Sequence, residues 1–321
     1  MGIAFYLEKE ESMKPIKKLN AIAFFLLVAG MMVLIAKVSV KEHINSADLE
    51  TKSVVVEPVR VEAIDQATDR YYFSVENIKE TNNTLLFYTN HQEVEVHVGA
   101  KLIYSLEKEE SIFGRTPGAM WNIMSLPVGT TEFSVLTRQA YPTLEKQEIV
   151  FELGNAIPMQ REAVIGSIID VCICLSILLI GGALLLYWLM VFRKVNAQKD
   201  ILYLGLFALI FGQWAFGETK LAVFMFNNRV FWSYMAFTCL MTMCLPFLYF
   251  VKEFLQTEDK HLHKLIAGYI VIETIVAQFL HLTNIASVKE TVMFTIANIV
   301  FTMLYLLYGI VMAVKKGKSM L

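Results

Sequence analysis

Between Ser53 and Leu153 polar and apolar positions alternate with a period of two; from Val164 to Val314 long uninterrupted apolar runs replace that pattern. The first regime predicts strands. Its apolar stretches are Val54 to Val61, Tyr71 to Val75, Thr84 to Tyr88, Glu93 to Gly99, Leu102 to Tyr104, Met120 to Leu126, Phe133 to Leu136 and Ile149 to Leu153. About eight strands rich in Val, Tyr, Phe and Thr, separated by Asn82-Asn83, Gly99, Pro117-Gly118 and Gly129, suit an all-β jelly-roll-like sandwich. Pro117-Gly118 fits a type II turn, in which glycine supplies the positive φ.

The second regime predicts membrane spans, since about 20 apolar residues cross roughly 30 Å of hydrocarbon. Its runs are Val164 to Phe192, Ile201 to Phe216, Val230 to Val251, Leu265 to Leu280 and Thr291 to Val314. An earlier run, Ile22 to Ile35 with Lys37 able to snorkel, reads as an uncleaved anchor, because no small-residue cleavage site follows it. The predicted organisation is a membrane α-helical bundle of six helices, one plus five, carrying the β-sandwich. It divides into a cytoplasmic 1–19, an anchor 20–38, a sandwich 50–155, a five-helix region 162–314 and a tail 315–321.

Charge orients this arrangement. Arg193, Lys194 and Lys199 follow the first run of the cluster, Lys252, Lys260 and Lys264 the third, and Lys315, Lys316 and Lys318 the fifth. The alternate loops hold Lys220, Arg229 and Lys289. Positive loops stay in the cytoplasm, which places both termini inside a cell membrane and the sandwich outside. The net charge of −2 argues against nucleic acid as a partner. All four cysteines fall in apolar runs and no metal or cofactor motif is present, so neither a metal nor a cofactor is expected. Gly154 to Pro158 reads as a short linker able to transmit strain from sandwich to membrane.

Candidate chemistry is sparse. In the sandwich, Arg115, Trp121, Arg138, Tyr141 and His91 are candidates for an aromatic and cationic site that holds a small, carbohydrate-like or anionic molecule. The competing reading buries Trp121 in the sandwich core and leaves the arginines in solvent. Within the membrane region, Asp170, Gln213, Glu218, Glu273 and Asn298 are costly polar residues that serve either as interhelical glue or as a sensing or transport path. Pro246 predicts a kink in the fourth span beneath Thr242.

Two stretches carry a likeness to a known family: Leu85 to Val94, with Gly99, Ile103-Tyr104 and Thr116 to Pro127; and Tyr203 to Phe207, Trp214, Glu218 and Met243 to Pro246. They resemble the bacterial seven-transmembrane receptors with diverse intracellular signalling modules, as found in membrane-bound GGDEF proteins that make cyclic di-GMP. The resemblance implies a signal-transduction receptor that detects an extracellular ligand and passes the signal to a cytoplasmic diguanylate cyclase domain. No Gly-Gly-Asp/Glu-Glu-Phe segment occurs in these 321 residues, so no enzyme activity is expected of them. The resemblance also implies two more helices and an output domain beyond Leu321. A homodimer is one option for the assembly, and a small transporter or its accessory subunit is the alternative function.

Overall fold

The structure is a computed structural model that describes residues 53–141, 148–191, 199–226, 228–257, 259 and 261–315. The predicted anchor at 20–38, the segment 1–19 and residues 316–321 of the predicted tail lie outside the described residues.

Among the described residues, eleven strands precede the helices: β1 (Val54–Val56), β2 (Arg60–Ala63), β3 (Thr68–Ser74), β4 (Thr84–Asn90), β5 (Gln92–Val98), β6 (Lys101–Leu106), β7 (Glu109–Ser111), β8 (Gly114–Thr116), β9 (Ala119–Ser125), β10 (Glu132–Gln139) and β11 (Phe151–Gly154). A four-stranded sheet, β1-β11-β4-β9, faces a five-stranded sheet, β2-β3-β10-β5-β6, and β7-β8 form a separate ribbon. All the pairings are antiparallel. The alternation in β5 puts Val94 and Val96 inside, against Leu85 and Phe87 of β4. Phe73, Phe87 and Phe151 join the two sheets with ring centroids 4.9 Å apart in each contact to Phe151. Truncating such a side chain to alanine costs about 3–5 kcal/mol.

Two details depart from the eight-strand expectation. Pro58 interrupts the run Val54 to Val61, so β1 joins one sheet and β2 the other. The ribbon β7-β8 was not predicted, because Glu109-Glu110-Ser111 and Gly114-Arg115-Thr116 carry no apolar alternation.

The helices are α1 (Ala156–Val191), α2 (Lys199–Gly217), α3 (Lys220–Phe226), α4 (Arg229–Thr242), α5 (Cys244–Leu255), α6 (Leu262–Leu282) and α7 (Val292–Lys315). Among the described residues, five spans are long and apolar enough to cross a membrane, counting α4 and α5 as one. The protein is a multi-pass membrane protein. At 1.5 Å per residue, the 36 residues of α1 run well beyond the roughly 30 Å of a bilayer core.

The expected linker does not exist as a separate element. Gly154 ends β11, the Asn155 side chain accepts from the Ile157 amide at 3.1 Å, and Pro158 occupies the first turn, where a missing N–H costs nothing. Sandwich and α1 are therefore joined through the single residue Asn155. The fourth span breaks at Met243; Pro246 lies three residues further on, and the Thr242 hydroxyl donates to the Thr238 carbonyl at 2.8 Å. Helices α1 and α2 approach closely at paired glycines. A Cβ on Gly205 would lie 3.2 Å from the Gly181 carbonyl oxygen, and one on Gly181 would lie 2.9 Å from the Leu209 amide.

Candidate functional site

The sandwich rests on one end of the helical bundle, and chemistry-bearing residues concentrate at that junction. The ribbon β7-β8 leans over it. Phe113, at the ribbon's turn, packs against Phe231 and Tyr234 of α4, at centroid distances of 5.2 and 5.5 Å. Arg229, the first residue of α4, reaches back to Glu109 at 3.3 Å and donates to the Glu107 carbonyl at 3.1 Å.

At the same junction lies a cavity of about 610 Å³. One wall is Trp121 of β9; another is the stretch of α1 carrying Glu162, Gly166 and Asp170; the third is the α2–α3 turn with Glu218 and Lys220. Lys220 Nζ lies 4.7 Å from the Tyr88 ring centroid and 5.3 Å from that of Trp121, in a corner the two rings form at 65°. A smaller cavity of about 70 Å³ adjoins it, lined in part by Tyr88, His91, Glu218 and Lys289.

The electrostatics of this neighbourhood are perturbed. Desolvation raises the Glu218 carboxyl above its ordinary range, while the charge of Lys289 pulls it back down. Desolvation lowers Lys289 to about 8, with Glu218 acting against that shift. Burial holds His91 well below the usual histidine range, and the Lys289 charge adds to the effect. Tyr88 is pushed up to about 12, by burial first and by Glu218 second.

The structure distributes the sequence-predicted residues unevenly. Trp121, Asp170 and Glu218 line the same cavity. Trp121 is not in the sandwich core as expected; β9 turns Asn122 inward instead. The Asn122 side chain donates to Thr89 Oγ1 at 2.8 Å and accepts from the Tyr104 hydroxyl at 3.0 Å. Glu218 lies in the turn after α2, outside the span to which it was assigned. His91 is buried, its Nδ1 2.9 Å from Thr116 Oγ1 and its ring 5.7 Å from that of Tyr141. Arg115 is exposed on the ribbon and offers only its backbone carbonyl to the Tyr141 hydroxyl, at 3.5 Å. Arg138 pairs with Glu93 at 3.7 Å and lines a different cavity, on the five-stranded sheet. The two arginines therefore do not share the Trp121 cavity.

Inside the helical region Glu273 of α6 is buried and accepts from Thr295 Oγ1 and Asn298 Nδ2 of α7, each at 2.9 Å. Gln213 is half-buried on α2. The membrane polar residues thus divide between the junction and a helix–helix contact, and do not line one common path among the described cavities. Sequence reasoning missed Lys220, Arg229, Lys289 and Phe113 as site residues. The available signal for the three basic residues was their place at the sandwich-side ends of spans, where basic residues are few; Phe113 carried none.

Residues 171–320 match the family described as 7TM diverse intracellular signalling. The match spans a little under half of the chain, and shows what the helical part is similar to. The matched segment takes in all but the first turns of α1 and every later helix, so Asp170 sits at its edge and the sandwich lies outside it. Comparison with curated proteins and with solved structures gives no match. The similarity fits a membrane region of the sensory signalling kind.

Proposed function

We propose that this chain is the sensor module of a bacterial membrane receptor, in which a small molecule from outside the cell binds at the junction cavity and alters how the helices pack. The observation that carries this reading is the cavity itself, because its walls come from β9, α1 and the α2–α3 turn together. A ligand touching all three favours one relative placement of sandwich and helices over another by its differential affinity for the two. The membrane-signalling family of the helical region supports the same role.

Orientation follows from the basic residues. Lys199, Lys252, Lys264 and Lys315 lie on helices at the bundle end away from the sandwich, which supports a cytoplasmic position for that end. The signal would leave through α7. That helix carries Asn298 against Glu273 in its first half and Tyr305 against Asp259 of the α5–α6 turn beyond its midpoint. The recipient is a cytoplasmic output domain, of the diguanylate cyclase type by resemblance.

The test joins a diguanylate cyclase domain after Leu321 of the full chain and reads cyclic di-GMP in cells. Trp121→Ala and Arg229→Ala should each shift output by about threefold at equal protein level, the scale of a modest coupling energy. Unchanged output in both variants would sink the proposal.

A further inference from the structure

The charges around the junction cavity are lopsided. Glu162, Asp170 and Glu218 line it, against the single cation Lys220. That lysine sits in the corner formed by Tyr88 and Trp121, its Nζ 4.7 and 5.3 Å from the two ring centroids. Two aromatic faces around an ammonium, with carboxylates nearby, are the chemistry that recognises organic cations. Here the chain's own side chain fills the place of such a cation. Arg115 and Arg138, which an anionic ligand would need, do not line the cavity.

We infer that the junction cavity is a binding site for a small organic cation whose ammonium group displaces Lys220 from the Tyr88–Trp121 corner. This rests on the receptor reading above and specifies the class of its ligand. The incoming ammonium takes over the ring contacts, and the carboxylates balance its charge. Lys220 is exposed, and a lysine's four-carbon stem lets the ammonium swing into solvent without disturbing the fold. A cavity of about 610 Å³ falls within the usual range for small-molecule sites.

Gly166 supplies a clean control. A Cβ at this α1 position meets nothing within 4 Å, so Gly166→Leu extends into the open side of the cavity without strain.

The experiment uses the full chain in lipid nanodiscs and measures binding of choline and of its uncharged isostere 3,3-dimethylbutanol by calorimetry. Choline should bind about tenfold more tightly than the isostere, Lys220→Ala should tighten choline by about tenfold, and Gly166→Leu should abolish its binding. Equal affinity for the two compounds, both lost in Gly166→Leu, would overturn the cation class and leave the cavity as the ligand site. Choline binding untouched by Gly166→Leu would overturn the cavity itself. Failure of choline to bind the parent and the Lys220→Ala protein alike would also overturn the cation proposal, and the cyclic di-GMP assay would then judge the receptor reading on its own.

Discussion

His281, in the last turn of α6, donates from Nε2 to the carbonyl oxygen of Phe113 at 2.8 Å, binding the sandwich's ribbon directly to a membrane helix. Its Nδ1 faces the Val288 amide at 3.4 Å, and the two contacts together require the neutral tautomer protonated on Nε2. The next ribbon residue, Gly114, has φ +96°, and a Cβ there would lie 2.4 Å from His281 Nε2. One histidine thus holds the ribbon by a hydrogen bond while a glycine makes the approach possible.

Gly114→Ala should therefore detach the ribbon, through both steric conflict and the unfavourable positive φ. Amide hydrogen exchange across Glu109 to Thr116 should accelerate. Pairing it with His281→Ala should recover the steric part and leave the φ strain. Exchange in Gly114→Ala equal to that of the parent would count against this contact.

Glu273 should stabilise the α6–α7 pair through its two acceptor contacts. Glu273→Ala leaves the buried Asn298 amide without its acceptor and should cost about 1–2 kcal/mol in a membrane setting. In a double-mutant cycle with Asn298→Ala, read by thermal unfolding in nanodiscs, the two effects should be clearly non-additive. Simple additivity would show that the contact is energetically idle.

Lys289 should make stability depend on alkaline pH. Desolvation brings its folded pKa down from 10.5 to about 8, so across that window the unfolded chain holds the additional proton and stability rises with pH. Glu218 and His91, the charged and titratable groups facing it with Tyr88, have shifts that act at lower pH. Glu218, raised by desolvation, favours the folded state in acid, and that contribution is lost as pH climbs through its raised value. In Lys289→Gln the rise of melting temperature between pH 8 and pH 10 should disappear. An identical slope in parent and variant would refute the assignment.

At the opposite end of the bundle Asp259 gathers the α5–α6 turn. Its Oδ2 accepts from the His263 amide at 2.9 Å and lies 2.7 Å from His263 Nδ1, while Oδ1 accepts from the Tyr305 hydroxyl of α7. Burial alone would raise this carboxyl; the His263 amide, the Tyr305 hydroxyl and the His263 ring outweigh burial and hold it at about 2. The resulting stability is present above the ordinary value of 3.8 and is lost as pH falls towards 2. Asp259→Asn should destabilise the protein by about 1–3 kcal/mol at neutral pH and flatten its acid melting profile. A variant with the parent's profile would remove Asp259 from this role.

The sequence by itself determined the two-zone plan: period-two alternation between Ser53 and Leu153, then apolar runs of membrane length. Both signals are local, because strand alternation and the transfer free energy of an apolar run depend on neighbouring residues alone. It also marked Glu273 and Asn298 as costly, for the same reason. Tertiary structure alone decided the junction. Which way Trp121 faces depends on the parity of β9 against β4, where Trp121 pairs with Tyr88, and a one-residue slip would have sent it into the core. Glu162, Trp121 and Lys220 meet only because sandwich, α1 and α3 pack at one end of the bundle. Likewise, Lys289 and Glu218 perturb each other only across the gap between two loops that no sequence period relates. Burial and proximity set their chemistry, and both are properties of the packed molecule rather than of any window along the chain.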